Sequence, residues 1–332
     1  MKTAFTFPAL LQSFFTERLM NQRQASPHTI ASYRDTFRLL LQFAQNHLRK
    51  PPSQVTIEDL EAPFIGTFLD HLEKNRHNSV RSRNLRLTAI LSFFRYIAFQ
   101  QPEKSAHIQR VLAIPSKRHS RRLVGFLTPP EIDALLEAPD QKTWAGRRDH
   151  ALLMLAIQTG LRLSELTSLR CQDIMLGTGA HVHCLGKGRK ERCTPLTKQM
   201  ALVLRSWMRE RHGDRMDPVF PNARAGSLSS DGVRYLLAKH VAATQQKCPS
   251  LHKKRVSPHV LRHSTAMELL QAGVDRSVIA LWLGHESVET TEIYLEANLA
   301  LKEKILEKTR PLDAKTGRYR ADDKLLNFLK NL

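Results

Sequence analysis

A polar and strongly basic segment, residues 115–122 (PSKRHSRR), interrupts the apolar pattern of this sequence. Such a segment has nothing to bury in a core and therefore predicts an extended linker. The chain is 332 residues long, which is also more than one hydrophobic core comfortably serves. We predict two domains, residues 1–115 and 126–310, joined by a linker at 116–125 and followed by a tail at 311–332.

The first domain is predicted to be all α-helical. Ser26 followed by Pro27 is a typical helix start, and apolar residues recur after it at steps of three and four. A second such period runs from Leu87 to Ile97, and the stretch from Ile57 to Leu72 carries a third. The small helical domain also has a basic edge just before the second period, at Arg81, Arg83 and Arg86.

The second domain is predicted to be mixed α+β. Its first helix starts at Thr128 in the sequence TPPE, a capping box, and a longer helix from Arg147 to Thr159 ends at Gly160. Three short apolar segments between Asp173 and Pro195 are separated by glycine-containing turns, which predicts a small three-stranded antiparallel sheet. Helical periods resume after this sheet, so the domain is mostly helical.

The net charge favours a nucleic-acid partner. Fifty-one Lys and Arg against 31 Asp and Glu give +20, and so basic a surface attracts polyanions. Residues 1–125 hold 19 of the basic and 8 of the acidic side chains, so the shorter part of the chain is the more basic per residue. A merely soluble basic protein is the simpler alternative.

The sequence argues against a membrane or secreted protein. Its longest apolar run, residues 151–157, is far short of the ~20 residues that a membrane span needs. Pro8 and Gln12 interrupt the apolar N-terminus, which also lacks a signal-peptide cleavage site. The four cysteines have no CxxC spacing and fit reduced thiols, so we expect a cytoplasmic protein.

Two segments of the second domain carry cations at turns. Arg162 follows Gly160, and a planar guanidinium at a rigid corner suits a phosphate about as well as it suits a surface pair with Glu165. Lys187 lies between two glycines at a predicted hairpin tip. By itself such a tip is more often an ordinary solvated turn.

A third segment predicts an anion site. His259 and Arg262 are three residues apart just after a Ser-Pro helix start, so both point at a helix N-terminus, where the backbone already favours an anion. Zinc is the weaker interpretation here, because no Cys or carboxylate completes a ligand set. A zinc site from His181, His183 and Cys193 is weaker still, because solvated strand residues explain the same letters.

A fourth segment places a corner ahead of a tyrosine. Gly284 ends one helix, His285 occupies the corner, and Tyr294 lies two turns into the next helix. A tyrosine at helical spacing usually packs in a core. None of the four segments indicates a function by itself, whereas their order along the chain does.

In this order the segments TGLRLSEL, GKGRKERCTPL, SPHVLRHS and LGH, followed by the single tyrosine, resemble the tyrosine recombinase (phage integrase) family. The resemblance implies that the first domain is the family's helical core-binding domain, which clamps DNA, and that the second is its catalytic domain. It also implies a catalytic site assembled from Arg162, Lys187, His259, Arg262 and His285, with Tyr294 as the nucleophile.

The resemblance implies a site-specific DNA recombinase, acting in integration, excision or transposition. Such an enzyme cuts and rejoins DNA strands through a 3′-phosphotyrosyl intermediate. Arg162 and Arg262 would hold the phosphate oxygens, and His285 would donate a further hydrogen bond. Lys187 would protonate the departing 5′-oxygen, while the role of His259 as a base stays open. These cations would substitute for a metal, so we expect no metal and no other cofactor.

The expected partner is double-stranded DNA, bound by a homotetramer on two DNA sites, alone or with other recombinases or accessory proteins. No small-molecule substrate and no membrane are expected. The tail would dock on the neighbouring protomer, as C-terminal segments commonly do in the family. The side chains expected on DNA phosphates, with a steep salt dependence, are Arg81, Arg83, Arg86, Lys117, Arg118, Arg121 and Arg122.

Three alternatives stay open. A type IB topoisomerase would relax supercoils with similar chemistry, an inactive relative would only bind DNA, and a structural basic protein would do no covalent chemistry. The complete set of six site residues argues against the second alternative. Leu295 and Glu296 follow the tyrosine, which departs from the pattern of chromosome-dimer resolvases and favours a mobile-element integrase or transposase.

Overall fold

The computed structural model of the chain describes residues 6–119, 125–186 and 191–284. The chain divides into two units, Met1–Arg121 and Arg122–Leu332. The predicted positions Arg121, Arg122, Lys187, His285 and Tyr294 and the tail at 311–332 lie outside the described residues. Within those ranges no helix is both long and apolar enough to cross a bilayer.

The described part of the first unit is helical, as predicted. Its elements are α1 (Phe7–Ser13), a π-helical segment (Phe14–Gln22), α2 (Pro27–Leu48), α3 (Ala62–Lys74), α4 (Val80–Ile97) and α5 (Ser105–Leu112). The Ser26 side chain accepts a hydrogen bond from the Thr29 main-chain N–H at the start of α2. Phe14 packs edge-on against Phe93 at 5.5 Å between ring centroids, in the core of this unit.

The helix α3 begins later than the apolar period from Ile57 suggests. Thr56 and Asp59 exchange hydrogen bonds, the Thr56 N–H donating to the carboxylate at 2.9 Å and the Asp59 N–H donating to the hydroxyl at 3.3 Å. This exchange closes a turn ahead of the helix. Ile57 and Leu60 are buried all the same, so their spacing reflects burial in a turn rather than a helix.

The second unit combines helices with a small sheet, and the predicted fold class is confirmed. Its helices are α6 (Pro129–Glu137), α7 (Trp144–Thr159), α8 (Leu163–Ser168), α9 (Lys198–Arg211), α10 (Ser230–Gln245), α11 (Pro258–Gln271) and α12 (Arg276–Leu283). The α6 capping box is present, since Glu131 accepts from the Thr128 N–H at 2.8 Å. Helix α7 ends at Gly160, whose φ of 63° is left-handed.

The sheet is the predicted antiparallel meander. Its strands β1 (Ile174–Met175), β2 (His181–Leu185) and β3 (Glu191–Pro195) lie in the order β1-β2-β3. Val182 of β2 pairs with Ile174 of β1 and with Thr194 of β3, and all three are buried against the helices. Because the register is fixed at Val182, the next core-facing pair is Cys184 with Arg192.

Candidate active site

Arg162 lies at the N-cap of α8. Its main-chain N–H donates to Glu165 at 2.7 Å, which makes Arg162 the cap residue of this helix. One arm of its guanidinium donates to Glu165 at 2.9 Å, and the other donates to the Gly284 carbonyl oxygen at 2.7 Å. The side chain is about one-quarter exposed, so it is anchored on two sides and still reaches solvent.

Arg262 reaches the same turn of the chain from α11. Its Nη1 donates to the Gly160 carbonyl at 2.6 Å and its Nη2 donates to the Leu283 carbonyl at 2.7 Å. The acceptors Leu283 and Gly284 end α12, where carbonyl groups lack helical partners and the dipole favours cations. The structure therefore brings Arg162 and Arg262, 100 positions apart in the sequence, to consecutive carbonyls.

A buried carboxylate organises the arginines. Glu165 is only 3 % exposed and also accepts from Arg192 of β3, at 3.0 Å and 2.8 Å. Burial by itself raises the pKa of the Glu165 carboxyl, but the hydrogen bonds from Arg192 and from the Arg162 main chain outweigh burial and hold the pKa below its usual range. The carboxylate is therefore ionised throughout the neutral range.

His259 lies on the first turn of α11 and is exposed, as a group that meets a ligand must be. Its ring centroid is 6.5 Å from that of His263, one turn further along. Burial, followed by the neighbouring His259 and Arg262 charges, lowers the pKa of His263 to about 4. His263 is therefore neutral at pH 7.

Three of the six predicted catalytic residues are described, and the described segments end directly before two of the others, Lys187 and His285. Gly284, which accepts from Arg162, is followed in the sequence by His285. Lys187 belongs to the connection between β2 and β3, and Tyr294 follows nine residues after His285. The order of motifs assigns no function to Arg192 and suggests Glu165 only as a surface partner of Arg162, whereas Glu165 is buried.

The basic residues predicted to contact DNA in the first unit differ in their surroundings. Arg81 and Arg118 are exposed. Arg83 is buried and donates to the Pro115 carbonyl at 3.1 Å, and Arg86 donates to the Thr36 hydroxyl at 3.1 Å. Lys117 forms ion pairs with two carboxylates of α3, those of Asp70 and Glu73.

The zinc alternative gains no support from the sheet. His183 faces Cys193 across the β2–β3 pair, whereas His181 faces Pro195. In the part of the chain that the structure describes, no group of three or more His, Cys, Asp or Glu side chains could hold a metal ion.

Family comparison agrees with this geometry over both units. Residues 125–300 match the Phage integrase family, and residues 13–101 match the Phage integrase N-terminal SAM-like domain. The chain belongs to the phage integrase family. This membership confirms the predicted family and the prediction that the chain is a tyrosine-type, site-specific DNA recombinase.

Relatives of this phage integrase family member cover nearly its whole length. The integrase/recombinase y4rC of Sinorhizobium fredii is 63% identical over 323 residues, which is 97% of each chain. The tyrosine recombinase XerC of Oceanobacillus iheyensis is 30% identical and spans 84% of this chain and 89% of its own. The solved structure of XerH recombinase bound to palindromic difH substrate shares the fold, with a TM-score of 0.67 at 23% identity, covering 86% of this chain and 81% of that one.

Proposed function

We propose that this recombinase cleaves DNA through attack of Tyr294 on a phosphodiester held by Arg162 and Arg262. The observation that carries the proposal is the convergence of these two guanidinium groups on the Leu283 and Gly284 carbonyls, directly before His285 in the sequence. Two anchored cations beside an exposed His259 make a preorganised site for an oxyanion.

The chemistry follows from that placement. The Tyr294 Oη forms a bond to phosphorus and passes its proton to water or to His259, while the bond from phosphorus to the 5′-oxygen breaks. The products are a 3′-phosphotyrosyl linkage and a 5′-hydroxyl, whose proton comes from Lys187. Attack by a 5′-hydroxyl of the partner strand reverses the step and releases Tyr294, so the phosphodiester energy is conserved.

The proposed role of Arg162 and Arg262 is to neutralise negative charge in the transition state. The transition state carries extra negative charge on the phosphate oxygens that do not bridge two groups, and Arg162 and Arg262 would neutralise it, with a further hydrogen bond from His285. Removing one such donor costs about 10²- to 10³-fold in rate. His259, exposed at the start of α11, would assist proton movement near the phosphate.

The partner is double-stranded DNA, and the assembly is a tetramer. Recombining two duplexes requires four strand cleavages, and each protomer supplies one Tyr294, so four protomers complete the reaction. The exposed Arg81 and Arg118 support phosphate contacts by the first unit. The cytoplasmic location expected from the sequence is compatible with DNA as the substrate.

The reaction is proposed to serve a mobile element. The relative from Sinorhizobium fredii at 63% identity carries the name integrase/recombinase, whereas the XerC relative is 30% identical. Leu295 and Glu296 after the nucleophile point the same way.

Covalent trapping tests the proposal. The purified chain and a Tyr294→Phe variant are incubated with nicked duplexes tiled across the DNA that flanks the gene, and adducts that survive SDS are scored. We expect an adduct on one duplex that is absent from the variant. Salt-sensitive binding to one duplex without any adduct would instead support the inactive DNA-binding protein. Relaxation of a supercoiled plasmid that lacks the site would support the topoisomerase.

The same assay tests the expectation that no metal takes part. Because the proposed phosphate ligands are protein cations, cleavage in the presence of EDTA should proceed at the rate without it. Abolished cleavage, restored by added Mg²⁺, would contradict the proposed mechanism.

A further inference from the structure

Arg192 contacts both groups that hold the Arg162 guanidinium. Its two terminal nitrogens donate to the two carboxylate oxygens of Glu165, at 3.0 Å and 2.8 Å. Its guanidinium also packs against Gly284, where an added Cβ would lie 2.4 Å from Nη1. Glu165 and the Gly284 carbonyl are the two acceptors of Arg162. Arg192 therefore lies against both residues that hold the Arg162 guanidinium.

Arg192 also changes the charge of the cluster. A carboxylate paired with Arg162 alone would cancel the cation that a phosphate requires. With two guanidinium groups on one carboxylate, the cluster of Arg162, Glu165 and Arg192 carries a net charge of one positive unit. Arg192 is only 10% exposed and faces the core side of β3, so it adds its positive charge from the buried side of the cluster.

We propose that Arg192 is a positioning residue that holds Glu165, and through it the Arg162 guanidinium, against the scissile phosphate. The inference rests on the proposed function, since it assumes that Arg162 binds that phosphate. Arg192 itself does not touch DNA in this proposal.

Three DNA linkages distinguish this role from the others. The duplex is the one that forms the Tyr294-dependent adduct, made with an ordinary phosphodiester, with a neutral methylphosphonate, or with sulfur in place of the 5′-oxygen. The methylphosphonate removes the negative charge that Arg162 neutralises. The sulfur leaving group departs without the proton that Lys187 would supply. If the wild-type chain forms no adduct on any duplex, the proposed function fails before Arg192 is tested.

The expected result is a selective defect. Arg192→Ala should slow cleavage of the phosphodiester and of the sulfur-containing linkage by the same factor, about tenfold or more. On the methylphosphonate the loss should fall within about threefold, as it should for Arg162→Ala, because the transition state carries one negative charge fewer to be neutralised. Arg192→Lys keeps the cation but loses the paired hydrogen bonds, and should give the same pattern more weakly.

A matched arginine provides the control. Arg205 of α9 donates to the Leu176 carbonyl at 2.6 Å and so supports the same sheet away from Glu165. Arg205→Ala should affect all three linkages equally or not at all. An equal loss for Arg192→Ala on all three would show a structural role and overturn the proposal. If Arg192→Ala cleaved the sulfur-containing linkage at the wild-type rate but not the phosphodiester, Arg192 would act through Lys187. If it cleaved all three linkages at the wild-type rate, Arg192 would have no role in cleavage.

Discussion

At the scale of single residues, the arginine cluster depends on one carboxylate. Glu165 is buried with its charge balanced by Arg192 and Arg162, and it caps α8 through the Arg162 N–H. Removing Glu165 would leave two guanidinium groups without a counter-charge, whereas removing one arginine would still leave a single ion pair, so the carboxylate is the member on which the cluster depends. Stability and the proposed binding of phosphate by Arg162 are therefore linked at this position.

Glu165→Gln should lower the free energy of unfolding by about 3 kcal/mol at pH 7, because it leaves two arginines without their anion. The measurement is urea unfolding at pH 7. The control Glu210→Gln removes a carboxylate that pairs with Arg147 on the surface, and should cost about 1 kcal/mol or less.

The difference in unfolding free energy between the wild type and Glu165→Gln should decrease at acidic pH. The pKa of Glu165 is lower in the folded chain than its ordinary 4.5. Its contribution is therefore complete above pH 4.5 and is lost as the pH falls through the folded-state pKa. The gap between the wild type and Glu165→Gln should narrow below pH 4.5, and a gap independent of pH would contradict the ionic role.

His263 gives a second pH effect in a different window. Its pKa is about 4 in the folded chain against an ordinary 6.5, so between these values the unfolded chain binds a proton that the folded chain excludes. Stability should therefore be complete above pH 6.5 and fall as the pH drops toward 4, by up to about 3 kcal/mol.

Two measurements check the His263 prediction. NMR titration of the imidazole should give a pKa well below 6.5, and His263→Gln should flatten the stability profile between pH 6.5 and 4. An imidazole that titrates near 6.5 in the folded protein would contradict the prediction.

At the scale of elements, the end of α12 is the point on which the two arginines converge. Gly284 has a φ of 64°, which favours glycine, and an added Cβ there would lie 2.4 Å from Nη1 and 3.2 Å from Cζ of Arg192. An arginine can usually move aside, but this one is held by two hydrogen bonds to Glu165. A side chain at position 284 would therefore disturb the cluster as well as the backbone.

Gly284→Ala should reduce adduct formation about tenfold or more, because Arg192 has to move off Glu165. The matched control is Gly273→Ala, at a φ of 82° with no atom within 4 Å of the added Cβ. Both should lose about 1–2 kcal/mol of stability from the left-handed backbone, but only Gly284→Ala should lose activity. Equal activity in the two variants would show that the contact with Arg192 does not matter.

The elements also show how far the sequence could predict this structure. Helices that begin with a capping residue and proline, and strands bounded by glycine turns, were predicted correctly because those signals are local. The start of α3 was not, since Ile57 and Leu60 have helical spacing but lie buried in a turn closed by Thr56 and Asp59. Periodicity records burial, and burial is not confined to helices.

At the site, too, the features with a local sequence signal could be predicted and those that depend on tertiary packing could not. The convergence of Arg162 and Arg262 agrees with the order of motifs that suggested the family. The contribution of Arg192 could not be predicted, because its contact with Glu165 spans 27 residues and depends on the register that pairs Cys184 with Arg192. A one-residue shift of β3 would place Arg192 on the opposite face of the sheet.

At the scale of the whole molecule, basic charge is spread over both units, and some of the acidic side chains form ion pairs with basic ones. Residues 1–125 contribute a net +11 and the remainder a net +9 to the total of +20. Lys117 already pairs with Asp70 and Glu73, so its charge is less available to DNA than that of Arg81 or Arg118. Affinity for a single DNA site should therefore depend on many small contributions, and strongly on salt.

Deletion of the C-terminal tail is expected to affect assembly and DNA affinity differently. Residues 311–332 hold five Lys and Arg against three Asp and Glu, so their deletion removes little of the total charge. They also hold an apolar series at helical spacing, Leu325, Leu326, Phe328, Leu329 and Leu332, which suits a contact between protomers. Deleting the tail should thus leave binding of one site unchanged and raise the protein concentration needed to pair two duplexes by about tenfold or more, equivalent to about 1.4 kcal/mol.

Two point variants show which part of the tail acts. Phe328→Ser removes apolar surface without changing charge and should reproduce the deletion, whereas the double substitution of Arg318 and Arg320 by Ala should leave pairing of duplexes intact. Gel shifts with one duplex report single-site affinity, and sedimentation of the complex with two duplexes reports the tetramer. Pairing that survives the deletion, at unchanged single-site affinity, would show that the protomers associate without the tail. Single-site affinity lost in step with pairing would show instead that the tail contacts DNA.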